Sequence, residues 1–215
     1  MKKLFVLSIA VLSSVLTFAQ TSKDVLDKLS AKAESWTTIQ ADFSSNLVDK
    51  KNNKNIKQDG TIKIKGKKYT IALNDYTIYT DGVTIWTYDK KSNTCTIDNL
   101  KDVKDGASFD PSEIFSIWKK DFKNEMKNPN ASVDGAACYE IALYPNNPKG
   151  KSYHTIMMYI DKAKNELSKA SVKTRDGGEI TYKIKNIKPN VGLQDGDFTF
   201  PKGKYPNVEM VDNRL

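Results

Sequence analysis

The chain has 215 residues, with 34 Lys and Arg against 26 Asp and Glu and a formal net charge of +8. A mean hydropathy of -0.56 argues against a polytopic membrane protein, and the scattered lysines, with no basic run interleaved with aromatics, argue against nucleic acid as a partner. One histidine and two cysteines leave little for metal or base-assisted nucleophilic chemistry.

Lys2 and Lys3 precede an apolar stretch, residues 4–18, that ends in small residues before Gln20. This reads as a secretory signal peptide, residues 1–19, cleaved after Ala19. Ser8, Ser13 and Ser14 interrupt it, and it falls short of the roughly 20 residues a spanning helix needs. The mature chain, residues 20–215, starts without a cysteine for acylation, since the first is Cys95. It is expected to be a soluble single domain, its charge reduced to +6 by loss of Lys2 and Lys3. Export exposes Cys95 and Cys138 to an oxidising compartment, where a disulfide is open to them. The alternative is two separate small hydrophobes in a β core.

Residues 22–34 carry Val25, Leu26, Leu29 and Ala33 at helical spacing, with Ser22 as the expected N-cap. Residues 36–48 turn strand-like, and the polar stretch 49–59 is predicted to be a long exposed hairpin loop. From Gly60 the period becomes two. Ile62 and Ile64, then Tyr69, Ile71 and Leu73, alternate with polar or small residues. Turn signals at Asn74-Asp75, Asp81-Gly82 and Lys91-Ser92-Asn93 separate further strands at 76–80, 83–88 and 94–98. An antiparallel meander follows from this spacing.

Asp110, Pro111 and Glu113 supply an N-cap, a first-turn proline and a capping-box glutamate, predicting a helix over 110–122. Its apolar side is bulky: Ile114, Phe115, Ile117, Trp118 and Phe122. Strands resume at 139–144, 155–160, 167–174 and 179–187, the last two joined across Asp176-Gly177-Gly178. A strand at 197–200 and an irregular tail with an extended stretch at 208–211 complete the chain. About eleven short strands with helices on one face make a mainly β fold.

Catalysis finds no inventory. His154 stands alone, no serine sits in a G-x-S-x-G context, and most carboxylates fall in turns (Asp75, Asp81, Asp176) or caps (Asp110, Glu113). No metal-ligand spacing and no cofactor motif occurs. The apolar face either fills a core or borders a ligand cavity, and composition alone leaves both open.

Several stretches together resemble the periplasmic outer-membrane lipoprotein carrier family, the LolA type. They are the signal peptide without an acylated cysteine, Ala41-Asp42-Phe43-Ser44, the run from Gly60 through Ile64 to Tyr69-Thr70-Ile71, Asp81-Gly82 with Trp86 and Tyr88, and Asp197-Phe198-Thr199-Phe200-Pro201-Lys202-Gly203 with Val211-Asp212. The resemblance implies an incomplete antiparallel β-barrel of about eleven strands, with an α-helical lid over an apolar cavity for lipoprotein acyl chains. It implies that Ile62, Ile64, Tyr69, Ile71, Leu73, Ile85, Ile141 and Leu143 form cavity walls, and that Ile114, Phe115, Trp118 and Phe122 form the lid side. On that picture Trp118→Ala is expected to weaken cargo retention and spare the fold.

The implied function is a periplasmic, monomeric, non-enzymatic carrier without cofactor. Its implied partners are acylated lipoproteins, an inner-membrane ABC lipoprotein-releasing transporter and an outer-membrane acceptor. A sensor or a carrier of other envelope lipids on the same half-barrel is the alternative. The best-studied carriers place a lid-latching arginine where this chain reads Gly66-Lys67-Lys68. Lysine lacks the planar guanidinium, so these two are expected to cover the sheet edge instead.

Overall fold

A computed structural model describes residues 20–103 and 114–214, so the predicted signal peptide and the proposed caps at Asp110, Pro111 and Glu113 lie outside the described residues. The first element is a helix, α1 (Ser22–Glu34). Its N-cap is Thr21 rather than Ser22, because Thr21 is extended while Ser22 is already helical. Thr21 Oγ1 accepts from the Asp24 N–H at 3.2 Å and the Asp24 carboxylate accepts from the Thr21 N–H at 3.1 Å, a complete capping box.

Strands β1 (Ile39–Asp49), β2 (Lys54–Lys65), β3 (Lys68–Leu73), β4 (Tyr76–Thr80), β5 (Thr84–Asp89) and β6 (Thr94–Asn99) follow. After a short helix, α2 (Trp118–Asp121), come β7 (Phe122–Val133), β8 (Ala136–Pro145), β9 (Tyr153–Asp161), β10 (Glu166–Thr174), β11 (Glu179–Pro189) and β12 (Glu209–Asp212). Among the described residues these strands form one sheet, ordered β12-β6-β5-β4-β3-β2-β1-β11-β10-β9-β8-β7. Only β12 and β6 run parallel. The terminal strands β7 and β12 do not pair, so the sheet is the incomplete barrel expected, with twelve strands.

Four sequence expectations are corrected. The predicted loop over 49–59 is mostly strand: Asp49 pairs with Lys54 and Val48 with Asn55, around a short turn with Asn53 at φ 49°. Its polarity marks a hairpin reaching past the core, not unpaired backbone. The predicted helix over 110–122 is helical only at Trp118–Asp121 among the described residues, and Phe122 opens β7 opposite Pro145.

Strand β7 was not anticipated, because its asparagines, lysines and Pro129 mask a strand that hydrogen-bonds on one side only. Register shifts flank Asn128, and an edge strand with bulges tolerates proline. Residues 197–200, expected as a strand, form the end of a 3-10 turn (Asp195–Phe198) and the stretch after it. Phe198 and Phe200 are both buried, a spacing that imitates strand alternation.

Pairing fixes two faces. The inner face of β8–β10 carries Ile141, Leu143, Ile156, Met158 and Val172, and α1 lies on it through Val25, Leu26 and Leu29. Ile117 and Trp118 join this core. On the outer face of β4–β6, Tyr79, Tyr88 and Cys95 are covered by Phe200 and Tyr205, whose rings stack at 5.2 Å. Cys95 and Cys138 are free and buried in separate clusters. Burial pushes the Cys95 thiol up to about 11, so it behaves as a small hydrophobe.

Ion pairs hold the C-terminal segment to the outer face. Lys65 and Lys68 both reach Asp195 at 3.1 Å, and Lys63 reaches Asp197 at 2.9 Å. Since β3 lies inside the sheet, Lys68 covers no edge; it tethers the tail. The Lys63 ammonium and the Gln194 N–H hold the Asp197 carboxyl below its usual range. A depressed folded value stabilises above the unfolded pKa of about 3.9 and is lost as pH falls through the folded value. Asp197→Asn is therefore expected to cost about 1 kcal/mol at neutral pH, after allowing for partial exposure. Urea melts should show the gap closing below about pH 4.

Candidate functional site

The inner face is divided. Helix α1 fills its β8–β10 half, and beside it, over β1–β4 and β11, lies an apolar cavity of about 270 Å³. Strand register builds its floor. Ile39 stands opposite Ile64, which faces Tyr69; Ala41 stands opposite Ile62, which faces Ile71, and Ile71 faces Ile78. Phe43 faces Gly60 on β2 and Ile184 on β11. Leu167 and Ala170 of β10 form the border with the core. No charged side chain is among the described residues that line the cavity.

Gly60 is where Phe43 finds room. A β-carbon there would stand 2.7 Å from Phe43 Cζ, 2.9 Å from Leu73 Cδ2 and 2.7 Å from the Ala72 carbonyl oxygen, so the ring rests on the bare backbone. Gly60→Ala is expected to cost about 1–3 kcal/mol by overpacking and to drive the ring into the cavity. Thermal melts and reduced uptake of an apolar fluorescent dye would register both effects.

Among the described residues the remaining wall is Ile114 and Phe115. The Phe115 ring meets Trp36 edge-on at 6.4 Å between centroids, and its carbonyl accepts from the hydroxyl of Ser30, a buried residue of α1, at 2.7 Å. The helix thus positions this wall through a hydrogen bond and through the packing of Ile114 and Phe115 against its core cluster.

The sequence-predicted residues divide by place. Ile62, Ile64, Ile71, Leu73, Ile114 and Phe115 line the cavity. Tyr69 is buried beside Ile39 and Ile64 at its end, and Ile85 is buried opposite Thr80. Trp118, Ile141 and Leu143 lie in the core beneath α1, and Phe122 packs against that core. Ile39, Ala41, Phe43, Ser45, Gln58, Ile78, Leu167, Ala170, Tyr182 and Ile184 were not anticipated. The alternation of Ile39, Ala41 and Phe43 was available in the sequence; the face it served was not.

Potential catalytic groups have other places. His154 is exposed. Asp81 accepts from the N–H groups of Val83 and Thr84 at 2.9 and 2.8 Å, and Asp176 accepts from Gly178 N–H at 3.3 Å, both as turn residues. Among the described residues no cluster of three His, Cys, Asp or Glu is placed to hold a metal ion, and no helix is long and apolar enough to cross a membrane.

The chain has relatives among known proteins. The family model described as outer membrane lipoprotein carrier protein LolA matches residues 34–201. An outer-membrane lipoprotein carrier protein of Francisella tularensis is 28% identical over 217 residues, covering 99% of this chain and 98% of its own. An uncharacterized protein of Methanocaldococcus jannaschii is 26% identical over 202 residues, covering 87% of this chain and 54% of that one. Among solved structures, an uncharacterized conserved protein of Thermus thermophilus superposes with a TM-score of 0.58 at 10% identity, over 90% of this chain and 100% of its own; that likeness is one of fold.

Proposed function

Since the chain belongs to the outer membrane lipoprotein carrier (LolA) family, we propose that its inner-face cavity takes up acyl chains of lipoproteins and that the protein carries them across the periplasm, from the inner membrane toward the outer membrane. The observation that carries this reading is a cavity floored by alternate residues of adjacent strands and free of charged lining among the described residues. Each CH₂ group moved from water into such a space contributes about 0.8 kcal/mol, so half a dozen groups give about 5 kcal/mol without a polar contact. Binding of this kind is non-directional and tolerates different chains.

At about 270 Å³ the space lies just under the usual range for ligand pockets, about 300–1,000 Å³. A cargo with more than part of one chain inside requires the Ile114–Phe115 wall to shift, and the Ser30 hydroxyl bond to the Phe115 carbonyl is a modest restraint on that shift. This assigns the lid role to Ile114 and Phe115, not to Trp118. Loading at an inner-membrane ABC lipoprotein-releasing transporter and delivery to an outer-membrane acceptor complete the proposed cycle, with the protein working as a monomer that carries and does not catalyse. The signal peptide, residues 1–19, provides export in this scheme.

The test is purification from the native envelope followed by mass spectrometry of whatever is bound. Triacylated lipoprotein is the expected result. An empty protein that also fails to take up triacylated lipoprotein overturns the reading, and recovery of other lipids alone transfers it to the alternative cargo.

A further inference from the structure

Among the described residues, three polar side chains interrupt the apolar lining of the cavity, and they stand in one row. Ser45 on β1 pairs with Gln58 on β2 and with Tyr182 on β11, and all three line the space. The rows that follow toward the other end are Phe43 with Gly60 and Ile184, then Ala41 with Ile62, then Ile39 with Ile64. Ser45 is six steps along β1 from Ile39, so at about 3.3 Å per residue the two ends lie roughly 20 Å apart. Phe115 and Trp36 pack around the Ile39 end.

On the other side of the polar row the sheet leaves the cavity. Leu47 faces Ile56 and Ile180 there, and Ile56 is 44% exposed. The row therefore stands where the cavity meets the open end of the hairpin. Its groups are chemically alike in one respect, that each carries hydrogen-bond donors: a hydroxyl, a carboxamide and a phenol. Burial raises the Tyr182 pKa, which keeps the phenol protonated. Ser45 Oγ makes a long bond, 3.4 Å, to the Gln58 carbonyl oxygen.

A saturated hydrocarbon has no use for donors, whereas an ester or amide carbonyl taken out of water needs them. We propose that the Gln58–Ser45–Tyr182 row is the polar stop of the cavity: an acyl chain lies with its methyl end toward Ile39 and Phe115 and its ester or amide carbonyl at this row. The inference rests on the acyl-carrying reading and adds a direction and a selectivity to it. The cavity then prefers acyl esters and amides to plain hydrocarbon of the same length.

Two measurements on the purified protein test it. The first uses fatty-acid methyl esters with a nitroxide near either the methyl or the ester end, and reads paramagnetic broadening of side-chain methyl signals. The methyl-end label is expected to broaden Ile39 and Ile64, and the ester-end label Leu47 and Ile180; equal or reversed broadening overturns the proposal. The second compares affinity for methyl palmitate with that for an alkane of matching length. In the Gln58→Leu/Tyr182→Phe double variant the ester-to-alkane affinity ratio is expected to fall about tenfold, the loss of one or two hydrogen bonds. An unchanged ratio overturns the proposal, as side chains at a strand end that merely face solvent would give. Failure of the wild-type protein to bind either probe is a different result, since it removes the carrier reading itself and this inference with it.

Discussion

Trp118→Ala is expected to lower the free energy of unfolding by about 3–5 kcal/mol, because it empties a large aromatic volume from a packed core. Trp118 is 7% exposed and joins Leu26, Leu29 and the β8–β10 side chains in the principal core. For a chain of this length that is a fall in melting temperature on the order of 10 °C. The placement replaces the expectation that this substitution loosens cargo and spares the fold. Trp118→Phe sharpens the test. Among the described residues the buried indole N–H has no hydrogen-bond partner, so phenylalanine removes an unsatisfied donor along with part of the volume. Its cost is expected to be about 1 kcal/mol or less. Equal losses for the two variants would show that the indole N–H has a partner; no loss for alanine would return Trp118 to the lid.

Ile71→Glu is expected to abolish acyl uptake while the protein still folds. Ile71 stands mid-floor between Ile62 and Ile78, is half-buried, and faces a lining without a charge among the described residues. A carboxylate here keeps its water when the cavity is empty and must lose it when a chain enters. An unpaired polar or charged group at that cost lowers affinity at least about a hundredfold, near 3 kcal/mol. The apolar surroundings raise the pKa of the new carboxyl, since they disfavour its charged form. Affinity of the variant should therefore rise as pH is lowered from neutral toward 5, where the acid becomes neutral, against a flat profile for the wild type. Titration of a fluorescent fatty acid at several pH values measures both. Undiminished binding at neutral pH would place the cargo elsewhere on the protein.

The meander from Gly60 to Asp98 was legible because its inner residues alternate cleanly and its turns carry Asn-Asp, Asp-Gly and Ser-Asn signals. Strand β7 was not, since an edge strand is selected for the polarity, bulges and proline that discourage further pairing, and these are also the marks of a loop. The tail misled in the opposite sense. Phe198 and Phe200 alternate like strand residues, yet they cover an apolar patch on the outer face that only the folded sheet assembles.

Six of the sixteen described residues that line the cavity were legible for the same physical reason. Ile62, Ile64, Ile71 and Leu73 follow from period two, and Ile114 and Phe115 from the bulky apolar run before α2. Ile141 and Leu143 have the same pattern but lie under α1, whose docking place no local pattern encodes.

The sequence by itself determined the β meander and the apolar stripe of the helix at residues 22–34, both of which depend on residues near one another along the chain. Only the tertiary structure decided which apolar faces become core and which border the cavity. It brought β1 between β2 and β11, set Ser45 beside Gln58 and Tyr182, and laid α1 over one half of the inner face. An apolar side chain has the same reason to leave water wherever it is buried. Whether it meets another side chain or an open space depends on long-range pairing and on the volume of what docks opposite, and neither is written in local periodicity.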